Sequence, residues 1–360
     1  MKAHTDISRR DMIRAMGLGA AAIAAAEMGG ARPASAEDAF TIASTGGSWG
    51  DGLKQAYVVN AGFEKRVNTP VSYAHMIDSV IATKALAQCG NPPFTVPALL
   101  NAEAVLLAEG GCLQEYDLGV VTNYKDLLPG TSEPPRAGLK AFWAAHTQIV
   151  MGVVYNTKRV TPKPTSFMDM WSAKYKGKVG IPAYGWVGIQ WLHALNQSLG
   201  GTPDNIDPGM KAIAELARKN DAVIMENTDV TLKAFTREEI WVMPFWNGRC
   251  FSLQAEGVPV DIVYPKGSIQ VGNGFPILKG TKFERQAQQF VNITLDPEYQ
   301  LEMTRRFRYP PSSRKAKLPA DIAHYGLKDD DLKNMMPLDY HKINQHRAAY
   351  LARWNKEVLG

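Results

Sequence analysis

Past residue 36 the sequence has no run that approaches the ~20 apolar residues a membrane-spanning helix needs, so the main part of the chain reads as soluble. Cysteine is scarce: there are three, Cys89, Cys112 and Cys250, and no two form a CxxC pair. The usual spacings of a zinc site or a dithiol redox centre are therefore missing. The histidines are scattered, with neither HExxH nor another paired-ligand spacing. No GxGxxG follows a strand-like run, which leaves dinucleotide binding without its fingerprint. From these absences no metal, no cofactor and no enzyme is expected. Asp329-Asp330-Asp331 reads as the solvated start of a helix.

What is present begins with an address. Ser8-Arg9-Arg10-Asp11-Met12-Ile13 places paired arginines ahead of a mild Ala/Gly-rich run, Ala15 to Met28, and Ala34-Ser35-Ala36 supplies a small-x-small cleavage pattern. Residues 1–36 read as a twin-arginine-type signal peptide, with a mature periplasmic chain from about Glu37. Arg14 and Glu27 edge the apolar run and count against a membrane anchor. The formal net charge of +5 owes much to Lys2, Arg9, Arg10, Arg14 and Arg32 of that leader. It gives no support for a nucleic-acid partner. The remaining chain exceeds the size at which a single core keeps growing, so two lobes are expected. The three cysteines leave two readings open: a Cys89–Cys112 disulfide with Cys250 as a buried thiol, or three small buried apolar residues.

The segments alternate in character. Ala39–Ala43 is strand-like and is followed by a loop, 44–50, then a helix over 51–66 with Leu53, Ala56, Tyr57 and Phe63 at helical spacing. Val71-Ser72-Tyr73 and Phe94–Leu99 read as further strands, and 77–88 and 103–109 as helices. Such units predict an α/β chain with a mainly parallel sheet covered on both faces. Ligands of these sheets bind beyond the carboxyl ends of the strands. In the first loop, Gly46 and Gly47 permit a sharp turn, Ser48 offers a hydroxyl, and the following helix presents free N–H groups. That arrangement suits an anion, or is only a capped turn.

The middle of the chain is more specific. Gly152-Val153-Val154-Tyr155-Asn156-Thr157 is followed by Pro164-Thr165-Ser166, Met168-Asp169-Met170-Trp171 and Lys174-Tyr175-Lys176-Gly177-Lys178-Val179-Gly180-Ile181-Pro182. Trp246-Asn247-Gly248-Arg249, Gly257-Val258-Pro259-Val260, Tyr264-Pro265-Lys266 and Asp296-Pro297-Glu298-Tyr299-Gln300 come later. This order of motifs, from about Phe40 to Lys317, resembles the family 1 extracellular solute-binding proteins, nearest the polyamine-binding-like subgroup. The resemblance implies a two-lobed periplasmic-binding-protein-like clamp (type II) with two crossover strands, near 148–155 and 261–270. It divides the chain into lobe 1 at 37–150, with about 270–305 returning to it, lobe 2 at 151–265, and C-terminal helices at 306–360 bracing the lobes. It further implies a monomer that captures a small molecule by hinge closure and hands it to the permease subunits of an ABC transporter in the inner membrane.

Carried over residue by residue, the resemblance places Gly47, Ser48, Trp49, Asn101 and Gln148 in the cleft from one side. From the other come Tyr184, Trp186, Asn227, Trp246 and Asn273. Core packing competes with ligand stacking for the aromatic residues, and turn formation competes for Asn227 and Asn273. The subgroup's cation-holding carboxylates are replaced here by Tyr184, Val187 and Asn273, while Thr95 and Gly267 replace two further acidic positions. The sequence thus shows no carboxylate pair for a diamine, and a neutral, aromatic or anionic ligand is expected before putrescine or spermidine. The rival readings are a polyamine binder of the same class, a receptor-coupled sensory binding protein, and an exported cofactor-bearing enzyme.

Overall fold

The computed structural model describes residues 39–360. The signal peptide expected at 1–36 lies outside them. Among the described residues no helix is long and apolar enough to cross a membrane.

The first strand, β1 (Phe40–Ser44), is buried along its whole length. It pairs in parallel with β2 (Val71–His75) on one side and β3 (Val96–Pro97) on the other, with Ile42 opposite both Tyr73 and Val96. Helix formation starts earlier than the sequence suggested: α1 (Gly47–Leu53) takes in most of the expected loop and runs through a π-helical stretch, Lys54–Asn60. Gly47 permits this by turning the chain with φ +66°, a conformation that side-chain-bearing residues avoid. After α2 (Phe63–Val67), α3 (Asp78–Ala87) follows β2. The third expected strand divides into β3 and β4 (Leu99–Leu100), and α4 (Asn101–Glu109) begins directly after it. β5 (Leu113–Gln114) later pairs with β12 (Ile277–Leu278).

The expectation of a mainly parallel sheet holds only for β2-β1-β3. The largest sheet is antiparallel and is organised around β6 (Ala145–Asn156), twelve residues that are all buried. Its first half pairs with β11 (Ile269–Gly274), which also meets β4. Its second half pairs with β9 (Val242–Trp246) and β10 (Val260–Val263). A chain that crosses between two halves and returns must run both ways, which dictates the antiparallel pairing. The second half adds the parallel pair β7 (Gly180–Pro182) and β8 (Val223–Met225), with α5 (Ile189–Ser198), α6 (Asp207–Lys219), α7 (Thr228–Thr236) and α8 (Asn247–Ala255).

Aromatic side chains knit the first half: Phe40, Phe63 and Phe290 lie with ring centroids 5.0 to 5.5 Å apart. Such edge contacts each add about 0.5–1.5 kcal/mol beyond burial. Phe290 belongs to α9 (Glu284–Thr294), which precedes α10 (Pro297–Phe307). Cys89 and Cys112 form a disulfide, and Cys250 is a buried free thiol. The short α11 (Asp329–Lys333) begins on the acidic run. The last helix, α12 (Tyr340–Glu357), packs against α4 of the first half and α6 of the second.

Candidate functional site

A cleft of about 670 Å³ is walled by segments from both halves. The carboxyl ends of β1, β7 and β8 all lead into it, which is where strand-to-helix turns expose side chains and backbone N–H groups. Gly47, Ser48 and Trp49 of α1 line it, as do Trp186, Asn227, Trp246 and Asn273. Three residues expected in the cleft do not line it. Asn101 is held between partners, donating to Glu133 Oε1 at 2.8 Å and accepting from the Gly272 N–H at 3.0 Å. Gln148 donates to the Pro311 carbonyl and accepts from Gln270 Nε2. The Tyr184 hydroxyl donates to the Arg347 carbonyl, and its ring packs on Trp354 of α12. In each case a long-range partner has captured the polar group, and sequence position could not foretell this.

The lining is strongly aromatic. Trp49 rests on Phe307 at 4.8 Å and near Tyr309, while Trp186 meets Phe245 edge-on at 6.0 Å. Trp246 ends β9 and is only 6 % exposed, so it packs in the core and also contributes to the cleft wall. The glycine of its Trp-Asn-Gly-Arg motif has a packing cause. A Cβ on Gly248 would meet the Phe307 carbonyl at 2.6 Å and the Tyr309 ring at 2.7 Å. Asn227 caps α7 by accepting from the Val230 N–H, a turn role that leaves it on the cleft rim.

Asn273 is held from behind by His146, whose Nε2 lies 3.1 Å from Asn273 Oδ1 and whose Nδ1 lies 2.7 Å from the Tyr57 hydroxyl. Burial holds the His146 pKa down at about 4, so the ring is neutral and this chain of contacts carries no charge at neutral pH.

The sequence reading missed the charged residues of the cleft. Asp78, Glu103, Glu226 and Asp229 line it together with Arg249 and Arg347. This corrects the expectation that no carboxylate pair is available. Asp78 and Glu103 stand in the first turns of α3 and α4, at positions other than those where the resemblance places the subgroup's carboxylates. Burial, reinforced by the Glu103 charge, raises the Asp78 pKa to about 7, although Thr45 and the Leu100 N–H donate to it. Arg249 was visible in its motif without a role. Arg347, on α12, carried no sequence signal at all.

Gly46-Gly47-Ser48-Trp49-Gly50 also has the G-x-S-x-G spacing of a hydrolase nucleophile turn, but Ser48 lies within the first turn of α1. Among the described residues no hydrogen bond joins Ser48 to a histidine, and without an adjacent base a serine hydroxyl is a poor nucleophile.

Comparison with known proteins places this geometry in context. A sequence model of the bacterial extracellular solute-binding protein family matches residues 60–329. The chain is 26 % identical over 211 residues to the spermidine/putrescine-binding periplasmic protein of Escherichia coli (strain K12), covering 58 % of this chain and 60 % of that one. It is 22 % identical over 286 residues to a gamma-aminobutyric acid-binding protein of Pseudomonas aeruginosa, covering 76 % of each. The match thus spans less than two thirds of the first of these relatives. Among solved structures, an ABC transporter protein from Clostridium perfringens ATCC 13124 superposes with a TM-score of 0.73 at 20 % identity, covering 88 % of this chain and 99 % of that one. The shared architecture is the two-lobed clamp.

Proposed function

Because the chain belongs to the bacterial extracellular solute-binding protein family, we propose that it is the solute-binding component of an ABC importer. In this reading it is a periplasmic monomer, exported by the twin-arginine leader at 1–36. Residues 37–150 with 270–305 form one lobe, 151–265 the other, and 306–360 brace them. A small organic molecule enters the cleft, shifts the population of lobe arrangements toward the one it contacts best, and is delivered to permease subunits in the inner membrane.

The observation that carries this reading is the composition of the cleft. Four aromatic rings, those of Trp49, Trp186, Trp246 and Tyr309, face a space of about 670 Å³ together with a few charged and amide groups. Ligand pockets have this character, mostly apolar with a small number of convergent polar groups. The similar proteins are named for spermidine, putrescine and gamma-aminobutyric acid, all amines. The carboxylates of this cleft suit an amine, which reverses the preference drawn from sequence.

The test is native mass spectrometry of the purified full chain, followed by a thermal-shift screen of amines, amino acids, aromatic acids and phosphonates. A ligand that binds the folded state raises Tm by mass action. The reading expects one class to do so and to be recovered chemically unchanged. A protein stabilised by none of them, or one that converts its ligand, would contradict it.

A further inference from the structure

The charged groups of the cleft are not evenly satisfied. Glu103 is 4 % exposed; its Oε1 is paired with Arg347 Nη1 at 3.2 Å, and its Oε2 has no hydrogen-bond partner among the described residues. Gln190, 3 % exposed, is likewise left with a buried Oε1 acceptor. Arg249 lies against the Tyr309 ring, its guanidinium carbon 6.0 Å from the ring centre, and its buried Nε donor has no partner. All three residues line the cleft. Buried polar atoms left unpaired are destabilising, so a site that keeps them gains selectively from a ligand that completes them.

The charges can be counted locally. Asp78 and Glu103 both line the cleft, from the first turns of α3 and α4. Alone, such a pair would suit two positive charges. Arg347 neutralises one of them, and it comes from α12, beyond the residues that the family model matches. What remains on this side, once a bound ammonium holds Asp78 ionised, is one net negative charge with acceptors at Glu103 Oε2 and Gln190 Oε1. Arg249 adds one positive charge with an open donor. Glu226 and Asp229 also lie at the cleft but are solvent-exposed, where water and salt weaken their influence.

We propose that the ligand is a zwitterion, its ammonium held by the Asp78–Glu103 side and its carboxylate by Arg249, and that Arg347 is the specificity-determining residue that turns a dication site into a monocation site. The proposal rests on the solute-binding reading and names the chemical class that reading leaves open.

Calorimetric titration of the full chain tests it with a series of ω-amino acids of increasing length, the diamines of matching length, and the matching dicarboxylates. The wild type is expected to bind at least one ω-amino acid about tenfold more tightly than its diamine or dicarboxylate counterpart, a difference of about 1.4 kcal/mol. In Arg347→Gln the diamine should gain relative to the ω-amino acid by about tenfold, and in Arg249→Gln the ω-amino acid should lose affinity while the diamine is little changed. If Arg347→Gln does not fold, the wild-type ranking decides alone. A wild type that prefers the diamine or the dicarboxylate, or that binds none of the three while binding another small molecule, overturns the zwitterion assignment and leaves the clamp standing. Binding of no small molecule at all removes both.

Discussion

Arg347 Nη1 lies 3.2 Å from Glu103 Oε1 and joins the last helix of the chain to the first turn of α4 at the wall of the cleft. The same helix reaches the other half through Arg353 on Asp207 at 2.8 Å and the Tyr350 hydroxyl on the Pro203 carbonyl. α12 is therefore tied to both lobes.

Removing the Arg347 side chain should strand a buried carboxylate. Arg347→Ala is expected to lower stability by about 1–3 kcal/mol, seen as a lower urea midpoint with unchanged slope. An unchanged midpoint would mean that the pair contributes nothing beyond its solvent-exposed share.

Stability should fall on the acid side for a reason that can be assigned. Burial holds His146 and His193 down at about 4 in the fold, whereas the unfolded chain protonates them near 6.5. Between those values the unfolded state binds more protons, so the contribution is complete above about pH 6.5 and is lost as pH falls toward 4. Asp78 acts with the opposite sign: its pKa of about 7 lies above the unfolded value of 3.8, so its burial penalty grows as pH rises through that window. Urea titrations across pH 4 to 7 should show a shallower acid loss in His193→Leu and a steeper one in Asp78→Asn. Parallel profiles in all three proteins would refute the assignment.

These groups also show where sequence reading stops. The β1 strand, the α3 and α4 helices, the crossover nature of Gln148–Tyr155 and Trp49 of the first loop were visible, because each depends on local pattern or on a motif. Asp78 and Glu103 were visible as letters, but their convergence depends on how β1, β2 and β4 align. Asn101, Gln148 and Tyr184, expected in the cleft, are each held by partners more than thirty positions away or on another segment. The antiparallel sheet escaped the pattern because a long strand buried on both faces reads the same in either direction.

Trp246 serves both the core and the cleft, so its truncation should register twice. Trp246→Ala is expected to weaken ligand binding by about 1–3 kcal/mol and to lower folding stability by about 3–5 kcal/mol. Affinity measured by titration and stability measured by urea separate the two. Full affinity in a destabilised variant would assign the ring to the core alone.

The Cys89–Cys112 bond closes a loop of 23 residues between α3 and the end of α4. Replacing both cysteines by serine should cost about 2–4 kcal/mol, mainly through the greater freedom of the unfolded chain. A Tm equal to that of the wild type, with the oxidised bond verified in the latter by mass, would contradict this.

The central claim is that the interlobe cleft takes up a small molecule and releases it intact, and calorimetric titration with the ligand found by screening is its most direct test. The account predicts saturable one-to-one binding, recovery of the ligand unchanged, and loss of affinity in Trp246→Ala. Binding that is indifferent to that substitution and to Arg249→Gln, or steady consumption of the ligand, would place the chemistry elsewhere.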